Sequence, residues 1–192
     1  LLSNTTGTQN TAVGALALDA NTTANNNTAL GFQSLTANTT GAENTALGSQ
    51  AMENSTEGNS NVAVGFIALF NNTTGSTNTA VGDNCAVTNT TGSDNTVVGQ
   101  FAFYSNTSGS DNTAVGAHAL DANTTGVENV ALGRHAMADN TTGSSNVAIG
   151  HQALDDNTTA SGNVAVGNHA CMNNHDGSNL VAVGDRALET LG

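Results

Sequence analysis

Three histidines recur at one place in a repeated sequence, and two of them lie in adjacent copies. His118 and His135 are 17 residues apart, and His169 occupies the same place two copies later. If successive copies stack as neighbouring β-strands, their imidazole rings lie about 4.8 Å apart and could take part in metal binding. Other copies carry glutamine there, as in Gln33 and Gln50, which favours an exposed polar column. We therefore predict no metal site and no cofactor.

Acidic residues form a second, partial column at another place in the repeat. Glu43, Asp94, Asp111 and Glu128 share this place, but the GGxGxD calcium turn of other β-rolls is missing. We expect a solvated acidic face. Catalysis needs unlike groups that converge in a pocket, whereas a repeat sets like beside like, and no Ser-His-Asp spacing, phosphate loop or carboxylate pair is visible. The sequence predicts a protein that is not an enzyme and has no catalytic residues.

The repeat that carries these columns is 17 residues long and occurs eleven times without an insertion. Its consensus is N-T-A-V-G-x-x-A-L-x-x-N-T-T-G-x-x, and positions are numbered below from this first Asn, which is Asn10 in the first copy. Position five is glycine in every copy, so it needs either a positive φ or a backbone contact that leaves no room for Cβ. We predict these glycines as the turn scaffold: Gly14, Gly31, Gly48, Gly65, Gly82, Gly99, Gly116, Gly133, Gly150, Gly167 and Gly184.

Two short apolar segments per unit, separated by turn residues, predict two short strands per coil. A helical repeat is the competing interpretation, but each unit lacks an apolar stripe at a spacing of 3.6 residues, and Asn-Thr-Thr-Gly is a poor helix former. We predict an all-β fold, a parallel β-solenoid or β-roll with eleven 17-residue coils. Residues 1–192 form a single array, which we expect to be an excerpt of a longer fibre because its first and last units are incomplete.

Alternation along the T-A-V segment sends positions two and four to one side and position three to the other. Position four is always branched and apolar, so we predict it as the coil core: Val13, Leu30, Leu47, Val64, Val81, Val98, Val115, Leu132, Ile149, Val166 and Val183. Position three then points outward, although it is almost always alanine. A stripe of small residues there predicts contact with further chains: Ala12, Ala29, Ala46, Ala63, Ala80, Val97, Ala114, Ala131, Ala148, Ala165 and Ala182.

Asparagine at position twelve is present in ten of the eleven copies, from Asn4 to Asn174, and Ser55 is the exception. An Asn in a turn caps its own backbone, and identical Asn side chains one coil apart can form an amide ladder. We predict that this column is part of the scaffold, although Asn-Thr-Thr is also an N-glycosylation sequon.

Motifs such as 10–14, 61–65 and 146–150, each N-(T/V)-A-(V/I)-G, resemble the head repeats of YadA-like trimeric autotransporter adhesins. They also resemble the NTAVG-type arrays of bacterial and phage-like fibre proteins that end in a self-cleaving chaperone domain. The resemblance covers essentially the whole chain. It implies a left-handed roll, three chains around one axis, and an exported fibre at the cell surface or outside the cell.

Charge narrows the class of partner. The chain has two Arg, no Lys and a net charge of −13, which argues against binding to nucleic acid or anionic lipid. No run of apolar residues is long enough to insert into a membrane. The expected partners are copies of the same chain, as a homotrimer with end-to-end filaments as a further option, and a host or matrix surface.

We therefore predict a non-catalytic structural or adhesive segment of an extracellular bacterial fibre, a stiff spacer whose variable positions supply a contact surface. Aromatic residues fall at those variable positions, among them Phe32, Phe66, Phe101 and Tyr104. We expect them either to form part of the contact surface or to pack between chains. The alternative that the sequence leaves open is an ice-binding protein that uses a regular column of Thr. That column lies at position thirteen: Thr5, Thr22, Thr39, Thr56, Thr73, Thr90, Thr107, Thr124, Thr141 and Thr158.

Overall fold

The computed structural model describes residues 1–190, which form a parallel β-solenoid with one strand in each coil. The strands comprise positions two to four of the repeat and pair in chain order as one 11-stranded sheet. Each strand is in register with the next at a separation of one repeat, as in Thr11 with Thr28. Their bounds are Thr11–Val13 (β1), Thr28–Leu30 (β2), Thr45–Leu47 (β3), Val62–Val64 (β4), Thr79–Val81 (β5), Thr96–Val98 (β6), Thr113–Val115 (β7), Val130–Leu132 (β8), Val147–Ile149 (β9), Val164–Val166 (β10) and Val181–Val183 (β11). The predicted all-β parallel solenoid is confirmed.

The second apolar segment of each unit is not a strand, so the prediction of two strands per coil is wrong. Positions seven and nine adopt left-handed backbone angles, with φ of 60° at Leu16 and 52° at Leu18 in the first coil. Two such residues so close together turn the chain and prevent an extended ladder. Hydrogen bonds between coils continue through this turn nonetheless: the Leu18 N–H donates to the Ser34 carbonyl at 3.0 Å.

The interior of each coil is lined by position three of the strand and by positions eight and nine of the turn. Ala46, Ala51 and Met52 line one coil and are fully buried. The residue at position nine is usually large and takes most of the interior, so the strand contributes only a methyl group opposite it in every coil but one, where Val97 is buried instead. Position three is consequently inside the coil, and the prediction of contact with further chains at this position is wrong. This correction applies to Ala12, Ala29, Ala46, Ala63, Ala80, Val97, Ala114, Ala131, Ala148, Ala165 and Ala182, of which Ala12 is partly buried and the others are buried.

Position four therefore lies on the outside of the sheet. Val13 is 55% exposed and Leu30 is 44% exposed, and no residue at this position is buried. The predicted coil core was the wrong side of the strand, because a shift of one residue exchanges the two faces. The residues reassigned to the outer face are Val13, Leu30, Leu47, Val64, Val81, Val98, Val115, Leu132, Ile149, Val166 and Val183.

The glycine at position five performs the role predicted for it. Its φ lies in the left-handed region in every coil, for example 144° at Gly31. A Cβ on Gly31 would overlap the carbonyl oxygen of Gly48 in the next coil. Both the backbone angle and the close stacking of coils exclude a side chain there.

Candidate functional site

The outer side of the sheet is a regular surface that extends over all eleven strands. We call it the sheet face and define it as positions two and four of all eleven repeats. Position four contributes the residues given above, and position two contributes Thr11, Thr28, Thr45, Val62, Thr79, Thr96, Thr113, Val130, Val147, Val164 and Val181. None of these side chains is charged, and none is buried. The sheet face is thus a flat, uncharged and largely apolar strip along the whole solenoid.

Phe32 and Phe66 extend this strip sideways. Both lie at position six, directly after the turn glycine, and they are 50% and 48% exposed. They follow Leu30 and Val64 of the sheet face two residues later. The aromatic side chains predicted at variable positions differ in exposure: Phe32 and Phe66 are at the surface, whereas Phe101 and Tyr104 are half-buried.

Inside the solenoid, the asparagines at position twelve form the predicted amide ladder. The Nδ2 group of Asn123 donates to Oδ1 of Asn106 at 3.0 Å, and that of Asn140 donates to Oδ1 of Asn123 at 2.8 Å. Each Nδ2 also caps its own turn, as from Asn123 to the Gly126 carbonyl at 3.1 Å. Asn106, Asn123 and Asn140 are fully buried, so their own sequons are closed to modification in the folded chain.

A second amide column lies at position one and was missed by the sequence analysis. The backbone N–H of Asn112 donates to Oδ1 of Asn95 at 3.0 Å, and Nδ2 of Asn112 donates to the Gly126 carbonyl at 3.0 Å. The signal was present, because position one is Asn in every copy except the last, where Leu180 replaces it. Two buried columns therefore run the length of the solenoid and join each coil to the next.

The Thr column at position thirteen is half-exposed, and its hydroxyl groups are already engaged. Oγ1 of Thr107 donates to the Thr124 carbonyl at 3.0 Å, and Oγ1 of Thr124 donates to the Thr141 carbonyl at 3.0 Å. Nine of the ten Thr hydroxyls donate to the next coil in this way, and Thr22 is the exception.

His118 and His135 stack as the sequence predicted, with ring centroids 4.9 Å apart and an angle of 3° between the planes. Phe101 continues the stack at 5.3 Å from His118, whose Nδ1 lies 2.8 Å from Oδ2 of Asp121. Parallel rings at this distance cannot both direct a nitrogen to one metal ion at about 2.0 Å. His169 stands apart from this pair and pairs through Nε2 with Oε1 of Gln152 at 2.9 Å.

The acidic column at position seventeen is exposed at Glu43, Asp94, Asp111 and Glu128. Hydroxyl groups one coil away donate to two of them, as from Ser145 Oγ to Glu128 Oε2 at 2.9 Å. Within residues 1–190, no group of three or more His, Cys, Asp or Glu side chains has the arrangement needed to hold a metal ion. Among the described residues, the acidic column at position seventeen is therefore a solvated face.

No family profile, curated protein or solved structure matches this chain. The part of the chain that the structure describes contains no helix of the length and hydropathy needed to cross a membrane. The site is defined by its geometry. It has two buried amide columns, an uncharged sheet face, and exposed columns of single residue types.

Proposed function

We propose that this chain is a non-catalytic structural segment of an extracellular bacterial fibre, in which the repeats act as a stiff spacer and contact surface. The observation that carries the proposal is the axial hydrogen bonding, which joins each coil to the next through the sheet and through the asparagine column at position one. In every coil the strand pairs with its neighbours, and buried Asn side chains bond from coil to coil. Bending such a rod would strain many parallel hydrogen bonds at once, as in stacked cross-β structures.

The resemblance of the N-(T/V)-A-(V/L/I)-G strand to YadA-like heads and NTAVG-type fibre arrays supports the same proposal. Under it, the segment is displayed at the cell surface or outside the cell, several copies associate as a homotrimer, and fibres contact a host or matrix surface. The position-specific repetition also explains why no catalytic group is expected: translation along the axis places the same side chain beside itself, so unlike groups do not converge.

The test is to measure how length depends on repeat number. Arrays with one, two and three tandem copies of residues 10–179 should be rods whose length grows by roughly 4.8 Å per 17-residue coil. Small-angle scattering and electron microscopy give the length and the stiffness directly. A length that grows with the square root of the repeat number would indicate a flexible chain and would overturn the spacer proposal.

A further inference from the structure

We infer that the sheet face is the surface through which copies of this chain pack side by side. The inference deepens the proposed fibre function and rests on it, and it names the one surface of the solenoid that suits a second copy. It also replaces the alanine stripe, which is enclosed within the coil.

Exposure is the first argument. Leu132 is 45% exposed and Val183 is 68% exposed, and neighbouring coils present similar side chains in one line. An ordinary soluble monomer rarely shows a continuous apolar strip of this length, and such strips mark interaction sites. Burial of these groups against another protein surface would recover the hydrophobic stabilisation that the coil interior does not obtain from them.

Charge identifies the occupant as a second copy. The chain has 15 acidic residues and a net charge of −13, so most of its faces repel an identical chain. The acidic column at position seventeen illustrates this, because Asp94, Asp111 and Glu128 are exposed there. The sheet face has no charged residue in any coil. Two acidic chains can therefore bring this face together without placing like charges in contact.

The available area is sufficient for a specific contact. Eleven coils give a strip about 50 Å long, and a three-residue strand is about 10 Å wide, so each copy offers on the order of 500 Å². Two copies would bury on the order of 1,000 Å², which is the lower limit for a specific protein interface. Phe32 and Phe66 lie beside the strip and enlarge the contact near β2 and β4.

Periodicity makes the two surfaces fit. Identical solenoids have the same rise per coil, so rows of side chains on one copy match the grooves between rows on the other over the full length. The strip is two side chains wide, with position two on one edge and position four on the other. It can therefore lie against one partner, or face a central axis and touch two partners.

The decisive experiment measures the solution mass of the wild type and of two sheet-face variants in the central coils. The first variant, Val81→Thr, Val98→Thr and Val115→Thr, keeps the β-branched shape and removes a methyl group in each coil. The second carries Asp at the same three positions. The matched control is Thr91→Asp, Ser108→Asp and Thr125→Asp, which adds the same charge to exposed turn residues of the same coils. Circular dichroism verifies the fold of each protein.

We expect the wild type and the control to have masses above the 19.0 kDa of one chain. The Thr variant should dissociate at a concentration at least tenfold higher than the wild type, and the Asp variant should be a monomer with the same circular dichroism. A wild type that stays monomeric would overturn this inference. A rod of the expected length in the same sample would leave the spacer proposal standing. Equal dissociation of the control, or full association of both face variants, would also overturn the inference.

Disulfide cross-linking tests the same surface without disturbing the strand. Thr96→Cys places a thiol on the exposed sheet face, and Thr91→Cys places one at the exposed turn of the preceding coil. The native Cys85 and Cys171 are buried, and burial raises the pKa of the Cys85 thiol to about 12, so they do not compete. Oxidation should join chains through Thr96→Cys and not through Thr91→Cys, and the reverse result would contradict the inference. Thermal hysteresis that disappears with the Val→Thr and Val→Asp changes would assign the face to ice instead.

Discussion

Asn38 and Ser55 occupy the same position in adjacent coils, and the amide column stops between them. Oδ1 of Asn38 is buried without a hydrogen-bond partner among the described residues, and so is Oγ of Ser55. In the intact part of the column, that oxygen accepts Nδ2 of the next Asn, as Asn106 does from Asn123 at 3.0 Å. The shorter Ser side chain does not reach, so the column lacks its bond on both sides of Ser55, to Asn38 and to Asn72.

Ser55→Asn should therefore stabilise the protein. The new Nδ2 would donate to Asn38, and the new Oδ1 would accept from Asn72, whose Nδ2 now donates only to the Gly75 carbonyl. Satisfying buried polar atoms in this way contributes on the order of 1–3 kcal/mol. Urea denaturation measures the change. Asn123→Ser is the matched control, since it creates the same gap in an intact part of the column and should destabilise by a similar amount. A neutral or destabilising Ser55→Asn would show that the gap has another origin.

The assignment of inside and outside is tested by two neighbouring residues of β7. Ala114 is fully buried, and Val115 lies on the sheet face. Ala114→Leu should destabilise by about 1–3 kcal/mol, because the added atoms meet the large side chains at position nine. The control is Val115→Leu, which matches Leu132 at the same position in the next coil and should change the stability by less than about 0.5 kcal/mol. Thermal unfolding of both variants, at protein concentrations too low for association, measures the two changes in stability. If Val115 were inside the coil and Ala114 outside, Val115→Leu would be the more destabilising of the two.

These two residues also explain how far the sequence could lead. Alternation in T-A-V correctly separated position three from position four, and the repeat length correctly predicted parallel stacking in register. Hydrophobicity then favoured Val over Ala for the interior, which was the wrong choice. The interior width depends on the whole coil, since Leu18 and its equivalents at position nine fill it from the opposite side. Their left-handed backbone could not be predicted either, because large apolar residues rarely adopt it.

The same limits apply to the functional surfaces. The Asn column at position twelve was predicted because a buried ladder needs one residue type in every coil. The column at position one shows the same regularity, but it was read only as part of the strand motif. The sheet face was missed because its Val and Leu residues had been placed in the core. Its apolar character therefore became visible only once Ala29 and its equivalents were found inside the coil.

Ice binding makes a contrasting prediction that purified protein can test. Nine of the ten Thr hydroxyls at position thirteen donate to the next coil, so they are not free to donate to lattice water. We expect no thermal hysteresis and no shaping of ice crystals at concentrations at which association is complete. The matched variant is Thr107→Val with Thr124→Val, which removes hydroxyls at the centre of the column. A hysteresis in the wild type that this variant abolishes would favour ice binding over the fibre proposal.

The stacked pair His118 and His135 predicts how stability depends on pH. Burial, followed by the positive charge of Arg134 and of His118, lowers the pKa of His135 below its ordinary value, while Asp155 opposes this shift. The folded chain thus binds this proton less readily than the unfolded chain, so stability should fall as pH decreases from the ordinary pKa of His toward the lowered one. His135→Gln places at this position the residue found at Gln152 in the next coil and should remove that part of the pH dependence. Melting temperatures between pH 7.5 and pH 5 measure it, with His175→Gln as the control because His175 is exposed at the last turn. If melting temperature changes with pH in the same way in the wild type and in His135→Gln, the stacked pair is not the cause of the pH dependence. The same conclusion follows if His175→Gln reduces the pH dependence as much as His135→Gln does.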